Sequence, residues 1–497
     1  MKDKIIFWLS AELLRFGLAK SFSEKYDCDL FAIIDITDKP KKFFEEQKIV
    51  KFEKQWFYHD HITTTKKPDL NYLKNFEDKY KINLWLLVFN ERIFQYNDYY
   101  HFTSDEILSI LEQECKLFEK ILEVNPDFII LPTSAFHHSH LFFELCKAKN
   151  IKRLLLIPTR FGNRAMVTSE NEPLDYEIKG IKQNPRTFKE LQDYLNEHSF
   201  SNQLLNYQSR FLNSRSSMIK AALQYFIFSN NTNIKTHYTY YGRTKFKVLL
   251  KSVIGILKTK YRKRFIDKNF SYELNNDKPF IFFPLHVEPE RSLLITAPFY
   301  LNQVEIIKNI VKSLPICYKL LVKEHSAMIF REWRKISVYK EIMSCPEVEL
   351  LHPKVDTHKI VKNSSLVITI SGTTALDAAF YEKSSIVLSD TTFSKLPSVY
   401  RLKSIEELPN AIRISLKKKV ESVHVDEYVD YIEKNSFEFA YPLAVQDYQD
   451  FFHYGGYLVD VEITEEKMKE YIRQYKTSFD LLADEHIKKI KQYKNKE

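Results

Sequence analysis

Three short stretches in the second half of the chain carry side chains that can hold an anionic ligand: Pro284-Leu285-His286-Val287-Glu288-Pro289-Glu290, Lys323-Glu324-His325 and Ser371-Gly372-Thr373-Thr374. Each follows an apolar run that reads as a buried strand. An imidazole at His325 can donate to a phosphate oxygen, and Lys323 adds positive potential. A helix opening at Thr373 offers backbone N–H groups without intrahelical acceptors, and Gly372 would let the chain turn sharply into it. Glu288 and Glu290 can bind sugar hydroxyls or act as general acid or base. Singly, each residue has a plain structural role, because Ser and Thr are common helix caps and carboxylates are common in loops. Their shared place at strand ends favours a ligand site.

The elements that must position these residues alternate. From Phe280 to Leu388 the pattern runs strand (Phe280 to Phe283), helix (Leu301 to Ser313), strand (Tyr318 to Lys323), helix (Arg331 to Met343) and strand (Val348 to Leu350). A helix (Thr357 to Asn363), the strand Leu366 to Ile370 with its own helix, and a strand at Ser385 to Leu388 complete it. Such alternation predicts a doubly wound parallel sheet, whose ligands bind beyond the carboxyl ends of the strands.

The N-terminal portion shows a second alternation. Ile5 to Ser10, Leu30 to Ile34, Asn83 to Phe89, Phe128 to Leu131 and Arg153 to Ile157 read as strands. Helices are predicted over Ala11 to Lys25, from the Thr103 cap to Leu122, and over His138 to Lys149. The strand-end rule then nominates Ser10, Glu12, Thr133, Ser134, His137, His138, Arg160 and Arg164. His137-His138-Ser139-His140 invites a metal reading, but three histidines in four residues cannot converge on one ion and no carboxylate or Cys is expected nearby to complete a set. No metal is expected there, and His59-Asp60-His61 reads as a surface loop.

Composition narrows the class. With 497 residues, 44% hydrophobic and 28% charged, the chain has material for two or three globular domains. Five cysteines without a CxxC pair argue against a disulfide framework or a zinc site and suit a reducing cytoplasm. The net charge of +9 is modest and no nucleic-acid motif accompanies it, so no nucleic-acid partner is expected. No apolar run is long enough to span a bilayer.

Between residues 187 and 275 the pattern turns helical and basic. Phe246, Leu250, Val253, Leu257, Tyr261 and Phe265 form a stripe at helical spacing among many Lys and Arg side chains from 243 to 268. Such a helix can lie on an anionic membrane surface, or pack on its own protein with a solvated basic face. The expected organisation is an N-terminal α/β domain (1–186), a basic helical connection (187–275), a second α/β domain (276–410) and a helical C-terminal extension (411–497) packing back across both domains.

The stretches FPLHVEPERS, LLVKEHS, VELLHPKVDTHKIVKNSSLVITISGTTALDAA and LPSVYRL, with weaker similarity in NLWLLVFNERIFQY, TSDEILSIL and NPDFIIL, resemble the capsule or surface-polysaccharide biosynthesis family, which includes Kdo-transferring enzymes. The resemblance is best over about Phe280 to Tyr400. It implies a GT-B fold, two Rossmann-like domains facing a cleft, and transfer of a sugar from a nucleotide-activated donor to a polysaccharide or lipid-linked glycan acceptor. By that resemblance His325, Ser371, Gly372, Thr373 and Thr374 would hold the nucleotide and phosphate, with Asp377 toward the ribose; Lys323 joins them by its charge, and His286 and Glu288 are read as the sugar-binding pair. Ser10, Ser134, His137 and Arg160 would line the acceptor side, and Glu12 or Glu290 would be the base. The family usually has Pro where this chain has Ser326, and Glu where it has Asp377. The expected enzyme needs no cofactor beyond its CMP-, UDP-, GDP- or dTDP-linked donor and works in the cytoplasm, at the inner membrane face if the basic helix binds lipid. A nucleotide-sugar 2-epimerase and a non-catalytic scaffold of the same fold are the alternatives.

Overall fold

The apolar runs that open each alternation form two separate sheets in the computed structural model, which describes residues 2–63, 66–89, 91–159, 161–198, 215–228, 237–275 and 277–495. The first sheet uses β1 (Asp3–Ser10), β2 (Cys28–Asp35), β3 (Lys54–Phe57), β4 (Phe128–Leu131), β5 (Lys152–Pro158) and β6 (Arg164–Thr168). The second uses β7 (Phe280–Pro284), β8 (Lys319–Lys323), β9 (Val348–Leu351), β10 (Leu366–Thr369), β11 (Ser385–Val387) and β12 (Val399–Arg401); a short β13 (Phe437–Glu438) returns to the first.

Sheet one has the order β13-β6-β5-β4-β1-β2-β3 and sheet two the order β12-β11-β10-β7-β8-β9. Every pairing in the second sheet is parallel. In the first, β5 with β6 and β6 with β13 are antiparallel, so Arg164 lies at the start of an antiparallel strand and not at a parallel strand end. The expected class, two Rossmann-like α/β domains with helices at the C-terminus, is therefore what the chain builds.

The chain divides into two compact units: Met1–Asn171 with Phe200–Val248 and Ser436–Glu497, and Glu172–Ser199 with Leu249–Asn435. The helix Phe188–Glu197 lies in the second unit, where Arg186 and Lys182 just before it pair with Asp426 of the helix Ser422–Asn435. The last helix, Lys476–Lys494, packs in the first unit against the helix Leu14–Lys25. Gly17 permits that approach, because a Cβ there would stand 2.3 Å from the Phe479 ring.

Two local readings are corrected. Asn83 to Phe89 is not a strand: Leu84–Val88 is a short helix, capped by Asn83, whose side chain accepts from the Leu86 N–H at 2.9 Å. A brief apolar run suits either element, and the cap decides it. The stripe of the basic helix Lys245–Asn269 does not pack on the protein along its length, since Phe246, Leu250, Val253, Leu257 and Tyr261 are exposed. No helix among the described residues is long and apolar enough to cross a membrane.

Candidate functional site

In the second unit the strand order brings the three chemical stretches together. β10, β7 and β8 are neighbours in that order, so Ser371-Gly372, His286 and His325 all follow the carboxyl ends of adjacent parallel strands. A buried ion pair ties these ends to one another. Arg334, in the loop before the helix Ile336–Met343, donates from Nε to Glu324 Oε2 at 2.9 Å, pairs through Nη1 with Glu288 at 2.8 Å and donates from Nη2 to the His286 carbonyl. Glu324 is fully buried; it also accepts from Tyr339 Oη at 2.6 Å and from the His325 N–H at 2.7 Å. Gln303 completes the frame, accepting from the His286 N–H at 2.7 Å and donating to its carbonyl at 3.1 Å and to Glu288.

Within this frame the predicted residues take different parts. His286 is buried, and its Nε2 accepts from the Ser371 N–H at 3.2 Å, so it holds the turn from β10 into the next helix. Burial, then the nearby His325 and Arg334, push its pKa down to about 3, which keeps the acceptor lone pair free of a proton. Glu288 is engaged by Arg334 and Gln303. Glu290 lies at the start of the next short helix and pairs with Arg331 at 2.7 Å.

His325 is exposed at the rim, where its Nδ1 accepts from the Ala327 N–H at 3.1 Å. Although the residue is exposed, crowding of the ring by protein, and then the charges of Lys323, Arg334 and Arg331, lower its pKa to about 4. A neutral ring whose Nδ1 is an acceptor carries its proton on Nε2, which is left as a donor. Lys323 is buried, donates to Thr357 Oγ1 at 2.6 Å and is lowered to about 8 by burial. The helix Thr374–Phe380 opens at Thr373, whose side chain makes no capping bond, and Asp377 lies half-buried in its first turn. Ser371 Oγ donates to the Ser292 carbonyl at 3.2 Å.

Gly372 is needed for a different reason from the one expected. It does not adopt a left-handed φ; instead a Cβ would stand 2.6 Å from Thr369 Oγ1 and 3.4 Å from His286 Nε2. That Oγ1 accepts the Gly372 N–H at 3.1 Å. The turn is closed by contact, not by backbone freedom.

The first unit gathers a second cluster, at the ends of β1, β2 and β4. Ser10 and Asp35 are register partners at the last positions of β1 and β2. Asp35 accepts from His59 Nε2 at 3.1 Å and from His138 Nε2 at 3.0 Å, with Trp8 Nε1 at 3.3 Å. Burial opposes its charge, yet the two imidazoles hold its carboxyl well below the usual range. Asp35, His59 and His138 line a cavity of about 270 Å³, together with Asp38, Tyr240 and Arg243. Deeper in the unit, His137 meets Glu114 at 2.9 Å and Glu91 at 3.7 Å, and Glu114 accepts from Tyr58. Burial opposes protonation of His137, but the two carboxylates outweigh it and raise its pKa to about 10.

These partners overturn two sequence expectations. A carboxylate does complete a set with the adjacent histidines: Glu114, His137 and His138 offer ligand atoms within 4.8 Å of one another. It comes from the helix Ser104–Leu122, remote in sequence. His59 is not part of a surface loop, since only 8% of its side chain is exposed. Other candidates are structural in their contacts. Glu12 is bound by Arg15 at 2.7 Å and Tyr441 at 2.8 Å, and Ser10 Oγ accepts from the Glu12 N–H at 3.3 Å. Buried Ser134 exchanges bonds with Asn171, and Arg164 donates to Ser436. Thr133 leads into this segment, and Arg160 lies outside the described residues.

Sequence reasoning passed over Asp35, Glu114, Arg334 and Gln303. Asp35 could have been found as the residue ending β2, and Glu114 as the one charge on the apolar face of its helix. Arg334 sits in a loop with no local signal.

The family described as capsule polysaccharide biosynthesis protein matches residues 172–396. No curated protein matches the chain. Among solved structures it is similar to the KpsC beta Kdo 2,7 transferase of Thermosulfurimonas dismutans, with 10% identity over 64% of this chain and 89% of that one, at a TM-score of 0.27. The Anabaena Alr3699/HepE complex with UDP and glucose also has 10% identity, covering 89% and 97% of the two chains at a TM-score of 0.27. The S. aureus MnaA co-structure with UDP has 12% identity, covering 90% and 94% at a TM-score of 0.24. At such scores these likenesses bear on neither substrate nor mechanism. The segment that matches the capsule polysaccharide biosynthesis family, 172–396, contains all three strand-end stretches of the second sheet.

Proposed function

We propose that the chain is a glycosyltransferase that moves a sugar from a nucleotide-activated donor to a growing surface polysaccharide or lipid-linked glycan, without a divalent metal. The observation that carries this reading is the convergence of His286, His325 and Ser371-Gly372 on the adjacent strands β7, β8 and β10, inside the family-matched segment. In this reading the neutral His325 donates from Nε2 to a phosphate oxygen of the donor. The ammonium of Lys323 and the backbone at Thr373 and Thr374 meet the charge that develops on the leaving nucleotide. The proton of the acceptor hydroxyl needs a base with a free lone pair. Glu12 and Glu290 suit that role poorly, because each is already engaged by an arginine.

The test is nucleotide release from a panel of CMP-, UDP-, GDP- and dTDP-sugars with a glycan acceptor. One donor should support turnover, and His325→Ala should lower kcat by about 10²-fold or more. Turnover by the variant equal to wild type refutes the role of His325. Conversion of a donor without acceptor identifies a nucleotide-sugar 2-epimerase instead, and failure of every nucleotide to bind leaves a non-catalytic scaffold.

A further inference from the structure

The helix Lys245–Asn269 presents an apolar stripe to solvent. Phe246, Leu250, Val253, Leu257 and Tyr261 recur every three or four residues and are 47–75% exposed. Five large apolar side chains aligned on one face of a single helix are unlike the scattered exposed residues of ordinary surfaces. The far end of the helix is fixed. Ile266 is buried, Phe265 packs on the core of the second unit, and Arg262 pairs with Glu332 at 3.0 Å and donates to the Trp333 carbonyl. A firmly held helix whose outer stripe is unburied is built to meet something.

Charge identifies the occupant. Lys247, Lys251 and Lys258 fall on one flank of the stripe, and the only carboxylate in the helix is Asp267, which pairs with Lys263. A second copy of this face would bring like charges together, whereas an anionic bilayer offers negative headgroups to the lysines and acyl chains to the stripe. We propose that this helix is a membrane-docking element, lying in the plane of an anionic bilayer with Phe246, Leu250, Val253, Leu257 and Tyr261 inserted at the headgroup boundary. The proposal is independent of the transfer chemistry assigned above.

The experiment is co-sedimentation of the full chain with vesicles of phosphatidylcholine alone or mixed with phosphatidylglycerol, over a range of salt. The chain should bind the anionic vesicles, more weakly as salt rises, and leave phosphatidylcholine vesicles largely unbound. Leu250→Gln/Leu257→Gln should weaken binding by about tenfold or more at fixed salt. Lys247→Glu/Lys251→Glu/Lys258→Glu should remove most of the salt dependence. Unchanged circular dichroism and Tm of both variants show that the fold is intact, as substitutions on an exposed face allow. Absence of binding to anionic vesicles at low salt overturns the proposal, as does a double-Gln variant that binds like wild type. A concentration-dependent dimer abolished by the double-Gln variant also overturns it, by naming a second copy as the occupant.

Discussion

Replacing Arg334 by Met should loosen the second unit at the strand ends that carry its candidate site. The guanidinium is 6% exposed and its main partner, Glu324, is fully buried, so the substitution leaves a carboxylate in the interior without its counter-ion. Removing one member of such a pair costs about 3–5 kcal/mol. Glu324 keeps two donors, Tyr339 Oη at 2.6 Å and the His325 N–H at 2.7 Å, which places the expected loss near the lower end, about 3 kcal/mol. Glu324→Gln/Arg334→Met removes the stranded charge, so the double variant should cost about 2 kcal/mol less than the sum of the single ones. Because the chain has two units, the readout is hydrogen exchange of peptides covering 280–290 and 319–328, measured for all four proteins. Protection of these peptides unchanged to within about 1 kcal/mol in Arg334→Met, or strict additivity in the double variant, would refute the reasoning that this pair holds β7 and β8 at the site.

Two further outcomes follow from the same frame. Gly372→Ala should destabilise the second unit by about 1–3 kcal/mol, since its Cβ must displace the Thr369 hydroxyl that accepts the Gly372 N–H; an unchanged Tm would contradict the close contact. His286 has a folded pKa of about 3 against about 6.5 unfolded, so below pH 6.5 the unfolded chain takes up a proton that the folded ring refuses. Its contribution is fully present above pH 6.5 and is lost as pH falls toward 3, on the order of 5 kcal/mol in all. The decline in Tm from pH 7 to pH 4 should be shallower in His286→Asn, and an NMR titration of the His286 ring near pH 6.5 would count against the assignment.

The amino-acid sequence by itself determined the alternation of strands and helices and the strand ends at which chemistry collects. Those signals are local: a β-branched apolar run marks a buried strand, and a cap or a small-residue turn marks where it stops. Asn83 shows the limit, because a five-residue apolar run carries no period and its cap made it a helix. The remainder depended on which elements became neighbours. The order β10-β7-β8 put His286 against Ser371, and that contact explains Gly372 by crowding where sequence suggested backbone freedom. Asp35 with His59 and His138, and Glu114 with His137, join residues far apart in the chain, so no local pattern could pair them. The basic helix makes the same point in reverse: its period was legible, but whether its stripe faces protein or solvent is set by what packs beside it, and only the folded chain decides that.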